Sequence, residues 1–217
     1  MFDTALTVND LIFLAKGAGM TIMVTAISVF FGTILGIVFG VVRHQVGPWW
    51  AAPLTFVLDV FRSIPLLIQL VLANAFVTTV LGFRVAGLTV ACGVLSLYTA
   101  AYCAEIVRGG IEAVPLTLRR ASRSLGMTWR QDMTNVVMPL ATRVALPSWI
   151  GLALGVMKDS ALVFIVQVVE LLKSTQILIT RLQEPLFLLT ICGLFYFLIS
   201  FPVARFGGYL EKRWSND

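Results

Sequence analysis

The sequence is poor in charge and almost without histidine. Asp, Glu, Lys and Arg make up 12% of it, while 59% is hydrophobic. The charged share is about half that of an ordinary soluble domain, near 25%, and one soluble domain cannot bury so many apolar residues. The single histidine is His44, and Cys92, Cys103 and Cys192 are scattered through apolar segments. That spacing excludes a disulfide framework and a metal site. No glycine-rich loop ends in Gly-Lys-Ser or Gly-Lys-Thr, so the chain does not hydrolyse ATP. It also has no Gly-x-Ser-x-Gly elbow, no His-Glu-x-x-His pair and no histidine cluster, which argues against an intramembrane enzyme. Basic and aromatic residues do not interleave on a polar surface, so the net charge of +5 does not point to nucleic acid. Asp3 and Asp10 stand where a cleaved signal peptide would be cationic, and the first apolar span is expected to be kept.

What is present is a series of apolar runs long enough to cross a hydrocarbon core of about 30 Å. Five spans are expected, at residues 17–42, 53–81, 85–107, 144–169 and 185–209, within a single unit covering residues 1–217. Of the 16 basic residues, ten fall on one side under this count: Arg43, Arg108, Arg119, Arg120, Arg123, Arg130, Arg143, Arg205, Lys212 and Arg213. Lys16, Arg84, Lys173 and Arg181 fall on the other. The positive-inside rule then places the N-terminus outside and the C-terminus in the cytoplasm. Trp49, Trp50, Trp129 and Trp214 suit interfacial anchors on the cytoplasmic side.

The longest polar break, residues 108–143, is therefore cytoplasmic, and it has helix signals of its own. Pro115 suits a first turn, where its missing N–H costs nothing. Leu118, Ala121 and Leu125 recur at helical spacing and leave Arg119, Arg120 and Arg123 largely on other faces. Gly126 permits a left-handed stop. Thr128 with Gln131 forms a capping-box pattern, so a second short helix is expected from there toward Pro139. Two readings stay open at this level: an amphipathic loop that merely carries inside-positive charge, or a helix-turn-helix that docks on a soluble partner.

Arg62, Lys158 and Asp159 fall within spans, where an ionic group costs several kcal/mol and belongs in a polar interior or a pair. Counted along an unbroken helix, Arg62 lies roughly 15 Å into the second span. Asp59, three residues earlier, is a ready partner for it. The functional alternative is a zwitterionic ligand, with Arg62 and Lys158 meeting a carboxylate and Asp159 an ammonium. Pro65 cannot bond to the Phe61 carbonyl and would kink the helix beside Arg62. Gly32, Gly36 and Gly40, like Gly151 and Gly155, have the four-residue spacing of close helix packing, with a subunit interface open for the first set. Glu105 and Arg108 read as an end-of-helix pair or as a brace for the loop.

The run AAYCAEIVRGGIEAVP at residues 100–115, the Leu125–Gly126 pair, and VVMPLATRVALP at 136–147 resemble the inner-membrane permease subunits of polar amino acid ABC importers, the histidine, glutamine and glutamate type. FRSIPLLIQL at 61–70 and MKDSALVFIVQVVEL at 157–171 agree, so the likeness spans nearly the whole chain. It implies an all-α type I importer permease of five transmembrane helices in the bacterial inner membrane. Cytoplasmic coupling helices would lie between spans three and four, and a segment at residues 112–138 would transmit closure of a separate ATPase. Pro115, Arg119, Arg120, Ala121, Ser122, Leu125 and Gly126 would carry that coupling. The family's usual Glu-Ala-Ala is here Arg120, Ala121 and Ser122, which inverts a charge at the docking surface.

The resemblance implies a translocation path lined by Arg62, Pro65, Lys158, Asp159 and the position of Leu152. Relatives often carry Asn-Glu where this chain has Gly151 and Leu152, so a neutral or acidic amino acid is expected. Expected partners are an ATP-binding cassette ATPase dimer using ATP and Mg, a second permease subunit, an external substrate-binding protein, the amino acid and membrane lipid. No cofactor on this chain and no nucleic acid are expected. A partner-independent transporter or channel would explain the buried charges but not the loop. A membrane anchor would explain the loop but not the charges.

Overall fold

The computed structural model describes residues 6–82 and 85–215. Asp3 and Arg84, both used above, lie outside them. The helices are α1 (Val8–Gln45), α2 (Pro48–Ser63), α3 (Leu66–Ala75), α4 (Gly87–Glu112), α5 (Leu116–Ser124), α6 (Trp129–Asp132), α7 (Met138–Asp159), α8 (Leu171–Leu182) and α9 (Pro185–Ser215). Among the described residues, four helical stretches are long and apolar enough to cross a membrane: Val8–Gln45, Gly87–Glu112, Trp129–Val166 and Pro185–Trp214. The expected second span is a broken one, Trp49–Ser63 followed by Leu66–Val80, bent by 106°.

The α1 helix starts where the Thr7 N–H and hydroxyl both donate to the Asp10 carboxylate, at 2.9 and 2.8 Å, so that an acid one turn in satisfies the open N–H before the helix. Its 38 residues reach about 57 Å, well beyond the hydrocarbon core. One side of it is a buried seam of Gly17, Thr21, Val24, Ser28, Gly32, Gly36 and Gly40. In lipid, helices gain little from hiding apolar surface and instead associate through close van der Waals packing, which small residues permit. A β-carbon on Gly36 would stand 3.0 Å from the Ala100 carbonyl, and one on Gly40 would stand 2.7 Å from that of Ala104. These glycines therefore serve packing of α1 on α4 inside the chain. Gly151 and Gly155 differ: nothing lies within 4 Å of where their β-carbons would be, so the expected close packing does not occur among the described residues.

Pro65 breaks the second span as expected and becomes the cap of α3. The orphaned carbonyls at the break are taken by a side chain, because Gln69 Nε2 donates to Phe61 and to Ile64, each at 2.7 Å. The break also changes the expected position of Arg62. The residue stands at the end of α2 and shares a carboxylate with Arg43 from the end of α1, so it does not sit deep in a continuous span.

Two expectations about the loops are corrected. The helix begun by the Thr128–Gln131 cap is not short, since it runs without a break through Pro139 into α7. A wide π-type turn at Met133–Val137 immediately precedes the proline and lets the helix absorb a residue without an N–H. The polar break at 170–184 holds a helix, α8, packed against α1 and α9 by Leu171, Leu178, Leu188 and Cys192. Glu170 caps α8, accepting from the N–H groups of Leu172 at 2.8 Å and Lys173 at 2.7 Å.

The molecule has two distinct ends. At one, the last turn of α1 meets α5, with His44 Nε2 and an Arg119 nitrogen 3.4 Å apart. At the other, Arg181 of α8 pairs with Asp10 at the start of α1. Asp10 lies ahead of the 17–42 run, and the Arg181 guanidinium, followed by the Thr7 groups, lowers its pKa to about 2.

Candidate functional site

The polar residues inside the bundle gather along one side of α4. Tyr98, Tyr102 and Glu105 are four and three residues apart, the spacing of one helix face. The Tyr98 hydroxyl lies close to Asp159 at the end of α7. The Tyr98 and Tyr102 rings lie 4.9 Å apart, and the Tyr102 hydroxyl donates to the Arg62 carbonyl at 3.3 Å. The two tyrosines thus bring Arg62 and Asp159, about a hundred residues apart in sequence, to one surface of α4. Sequence reasoning missed both, although two tyrosines one turn apart and one turn ahead of a glutamate in an apolar span were a visible sign.

Arg62 is engaged rather than free. It pairs with Asp59 on its own helix and with Glu105 at 3.3 Å. Its Nε is buried without a partner. A ligand carboxylate meeting this guanidinium would have to share it with two carboxylates already present. Lys158 is exposed and next to Asp159 in sequence. Leu152 packs with the apolar core formed by Val24, Leu70, Leu95, Val156 and Val163, whereas its neighbour Gly151 is exposed. Pro65 lies at the break, next to the Arg62 pair. An apolar cavity of about 250 Å³ opens between α1, α4 and α7. Its polar side chains are occupied locally, Trp149 Nε1 donating to Thr33 at 2.9 Å and Thr142 to the Met138 carbonyl at 2.7 Å, so it has little to offer a zwitterion.

The segment at the α1 and α5 end is stiff. Pro115 caps α5 from just outside its first turn, one residue before the expected place. Gly126 ends the turn with φ +82°, a left-handed angle that suits glycine. The hydroxyl of Ser122, buried, donates to Asp132 of α6, which is itself buried, and Arg119 stands 3.9 Å from the same carboxylate. Below them Ile111, Val114, Met133, Val137 and Ala141 form an apolar base. Leu118, Ala121 and Leu125 point away from this base and are exposed, as are Arg120 and Arg123. Among the described residues, nothing covers the apolar face of α5.

Residues 32–216 match the family described as binding-protein-dependent transport system inner membrane component. The chain belongs to that family. Among its relatives in this transport family is the arginine transport system permease protein ArgU of Corynebacterium glutamicum, 31% identical over the whole chain and 70% of the relative. The probable amino-acid ABC transporter permease protein YckA of Bacillus subtilis is 29% identical over the whole chain and 95% of the relative. The glutamate/aspartate import permease protein GltK of Escherichia coli O157:H7 is 28% identical over 98% of each. The fold is similar to that in the crystal structure of an amino acid ABC transporter with histidines, with TM-score 0.86, 24% identity, and 97% of this chain and 100% of that chain covered. It is also similar to an inward-facing MetNI methionine ABC transporter, with TM-score 0.77, 22% identity, and 94% and 99% covered. As a transport-system membrane component the chain is not itself catalytic. Among the described residues no group of three or more His, Cys, Asp or Glu is placed to hold a metal ion.

Proposed function

We propose that the chain is the permease subunit of an ATP-driven importer of polar amino acids, working with a separate ATPase. It would span the bacterial inner membrane five times, with the broken α2–α3 pair as one span, the N-terminus outside and the C-terminus inside. Two ATP-binding subunits would dock on the 108–143 segment, and an external binding protein would deliver the amino acid. A second permease, identical or homologous, would complete the path. The observation that carries this reading is the α5 helix, anchored by Ser122 and Asp132, stopped by Gly126, and presenting an uncovered apolar face at the end where the basic residues collect. A rigid element is what can carry a rigid-body motion from one subunit to another. The amino acid cargo is supported by the names of the relatives.

In the path, Lys158 is the cation available to a substrate carboxylate and Asp159, beside Tyr98, the anion for its ammonium. Arg62 and Pro65 shape the break beside them, and the position of Leu152 borders the path. The absence of an acid at Gly151 and Leu152 favours a neutral or acidic amino acid. The test is copurification of the tagged chain from its native membrane, with ATP hydrolysis assayed against candidate amino acids in the presence of the binding protein. Recovery of an ATPase stimulated by one amino acid supports the reading. Recovery of the chain alone, with uptake by proteoliposomes holding nothing else, replaces it with a partner-independent transporter.

A further inference from the structure

One carboxylate at the inner end of α4 answers to three arginines from three helices. Glu105 Oε2 lies 3.0 Å from an Arg43 nitrogen and 3.3 Å from an Arg62 nitrogen, and Oε1 takes Arg108. Each arginine has a second attachment. Arg43 Nε donates to the Thr55 hydroxyl of α2 at 3.0 Å, and Arg62 holds Asp59. One Arg108 nitrogen reaches both oxygens of Glu112, at 2.6 and 2.8 Å. The path Arg62, Glu105, Arg108, Glu112 therefore runs from the α2–α3 break to the last residue of α4, three residues before Pro115 and α5. Arg43 adds the end of α1 to the same node.

The charges explain why the node sits on Glu105. Three cations and three anions meet here, so the cluster is neutral as a whole. The Arg43 side chain is nine-tenths buried, with 8% of it exposed. A buried cation left without its partner is far costlier than an exposed one. Asp59 and Glu112 occupy the open edges of the cluster, at 47% and 50% exposed, where water can replace their ion pairs. Glu105 is the one member that touches all three arginines, and no other side chain ties α2 to the stem of α5 by charge among the described residues.

We infer that Glu105 is a positioning residue for transport: it fixes Arg62 and the α2–α3 break to the stem of the ATPase-docking segment, so that displacement of that segment moves the break. The inference rests on the permease reading above. The substrate is not bound by Glu105. The residue acts through Arg62 on the break and through Arg108 on the docking segment.

The test uses the complete complex in proteoliposomes and reads amino acid taken up per ATP hydrolysed. Glu105→Gln keeps the shape of the side chain and removes its charge. It is expected to lower that ratio roughly tenfold, within the 5–150-fold spanned by ordinary inter-site coupling, while hydrolysis continues. Glu105→Asp is expected to retain most of the coupling. Arg43→Gln with Glu105→Gln restores charge balance but leaves the Arg62 guanidinium without its ion pair to α4, and is expected to stay uncoupled. Recovery of coupling in that double variant would mean that Glu105 only balances buried charge, and would overturn the inference. So would wild-type coupling in Glu105→Gln, or failure of both variants to assemble, which would make the residue a folding element. If the wild-type complex moves no amino acid with any candidate, the permease reading fails instead, and the two failures are separate.

Discussion

The side-chain amide of Gln69 donates to the carbonyl of Phe61 at 2.7 Å, the acceptor that Pro65 leaves open by having no N–H. A second bond of the same length to Ile64 makes one glutamine hold two carbonyls of the break. Gln69→Leu keeps the volume and removes the donors. With two acceptors unpaired at roughly 1–3 kcal/mol each, the purified complex is expected to melt several degrees lower. An unchanged melting curve would show that the break is held by packing alone.

Gly126 has φ +82°, and a branched side chain resists that angle by about 1–2 kcal/mol. Gly126→Val is expected to leave the spans folded and to reduce transport per ATP, because α5 no longer meets its partner at a fixed angle. Equal coupling in variant and wild type, measured in the same vesicles, would remove α5 from the transmission.

The seam between α1 and α4 makes two glycines of one helix behave oppositely. Gly36→Ala would place its methyl against Cys103 and the Ala100 carbonyl, so a helix backbone has to move, and a loss of about 1–3 kcal/mol is expected from overpacking. Gly19 has open space, and Gly19→Ala is expected to be neutral or to gain up to about 1 kcal/mol from helix propensity. Thermal unfolding of the two variants in detergent checks the sign of each.

Lys158→Met removes the exposed cation at the end of α7 while keeping the length of the side chain. Assembly with the ATPase should be unaffected and uptake should fall at least tenfold, the measure of a lost charge-assisted contact of about 1.5–3 kcal/mol. Normal uptake would hand the carboxylate to Arg62, despite its two ion pairs.

The Asp10 and Arg181 pair predicts a pH dependence. The folded carboxyl titrates at about 2, below its ordinary value of 3.8, so its contribution is fully present above that ordinary value and is lost as pH falls through about 2. The stability difference between wild type and Arg181→Ala is thus expected to be flat from about pH 5 to 8 and to shrink below about 4. A difference that changes near neutrality would point to another group.

Much of the architecture was legible because its causes are local. The Gly126 stop, the Thr128–Gln131 cap and the Pro65 break each depend on a few neighbouring residues, and each occurs where the sequence places it. The α8 helix was missed because its apolar face is short and its cap is a glutamate, Glu170, rather than a serine or threonine. The fate of Pro139 was misread for a related reason. A wide turn can carry a helix past a proline, and nothing in the sequence marks Met133–Val137 as one. At the polar cluster the pair of Arg62 with Asp59 was open to inspection at three residues' spacing. The share of Glu105 was not, because it depends on where α2 crosses α4.

The seam of Ser28, Gly32, Gly36 and Gly40 leaves no slack between two of the long helices. Any reshaping of the bundle must therefore happen around that pair and not within it. Probes attached to α1 and α4 should keep a constant separation through a full turnover, and this makes the pair a fixed frame against which the travel of α2, α3 and α7 can be surveyed.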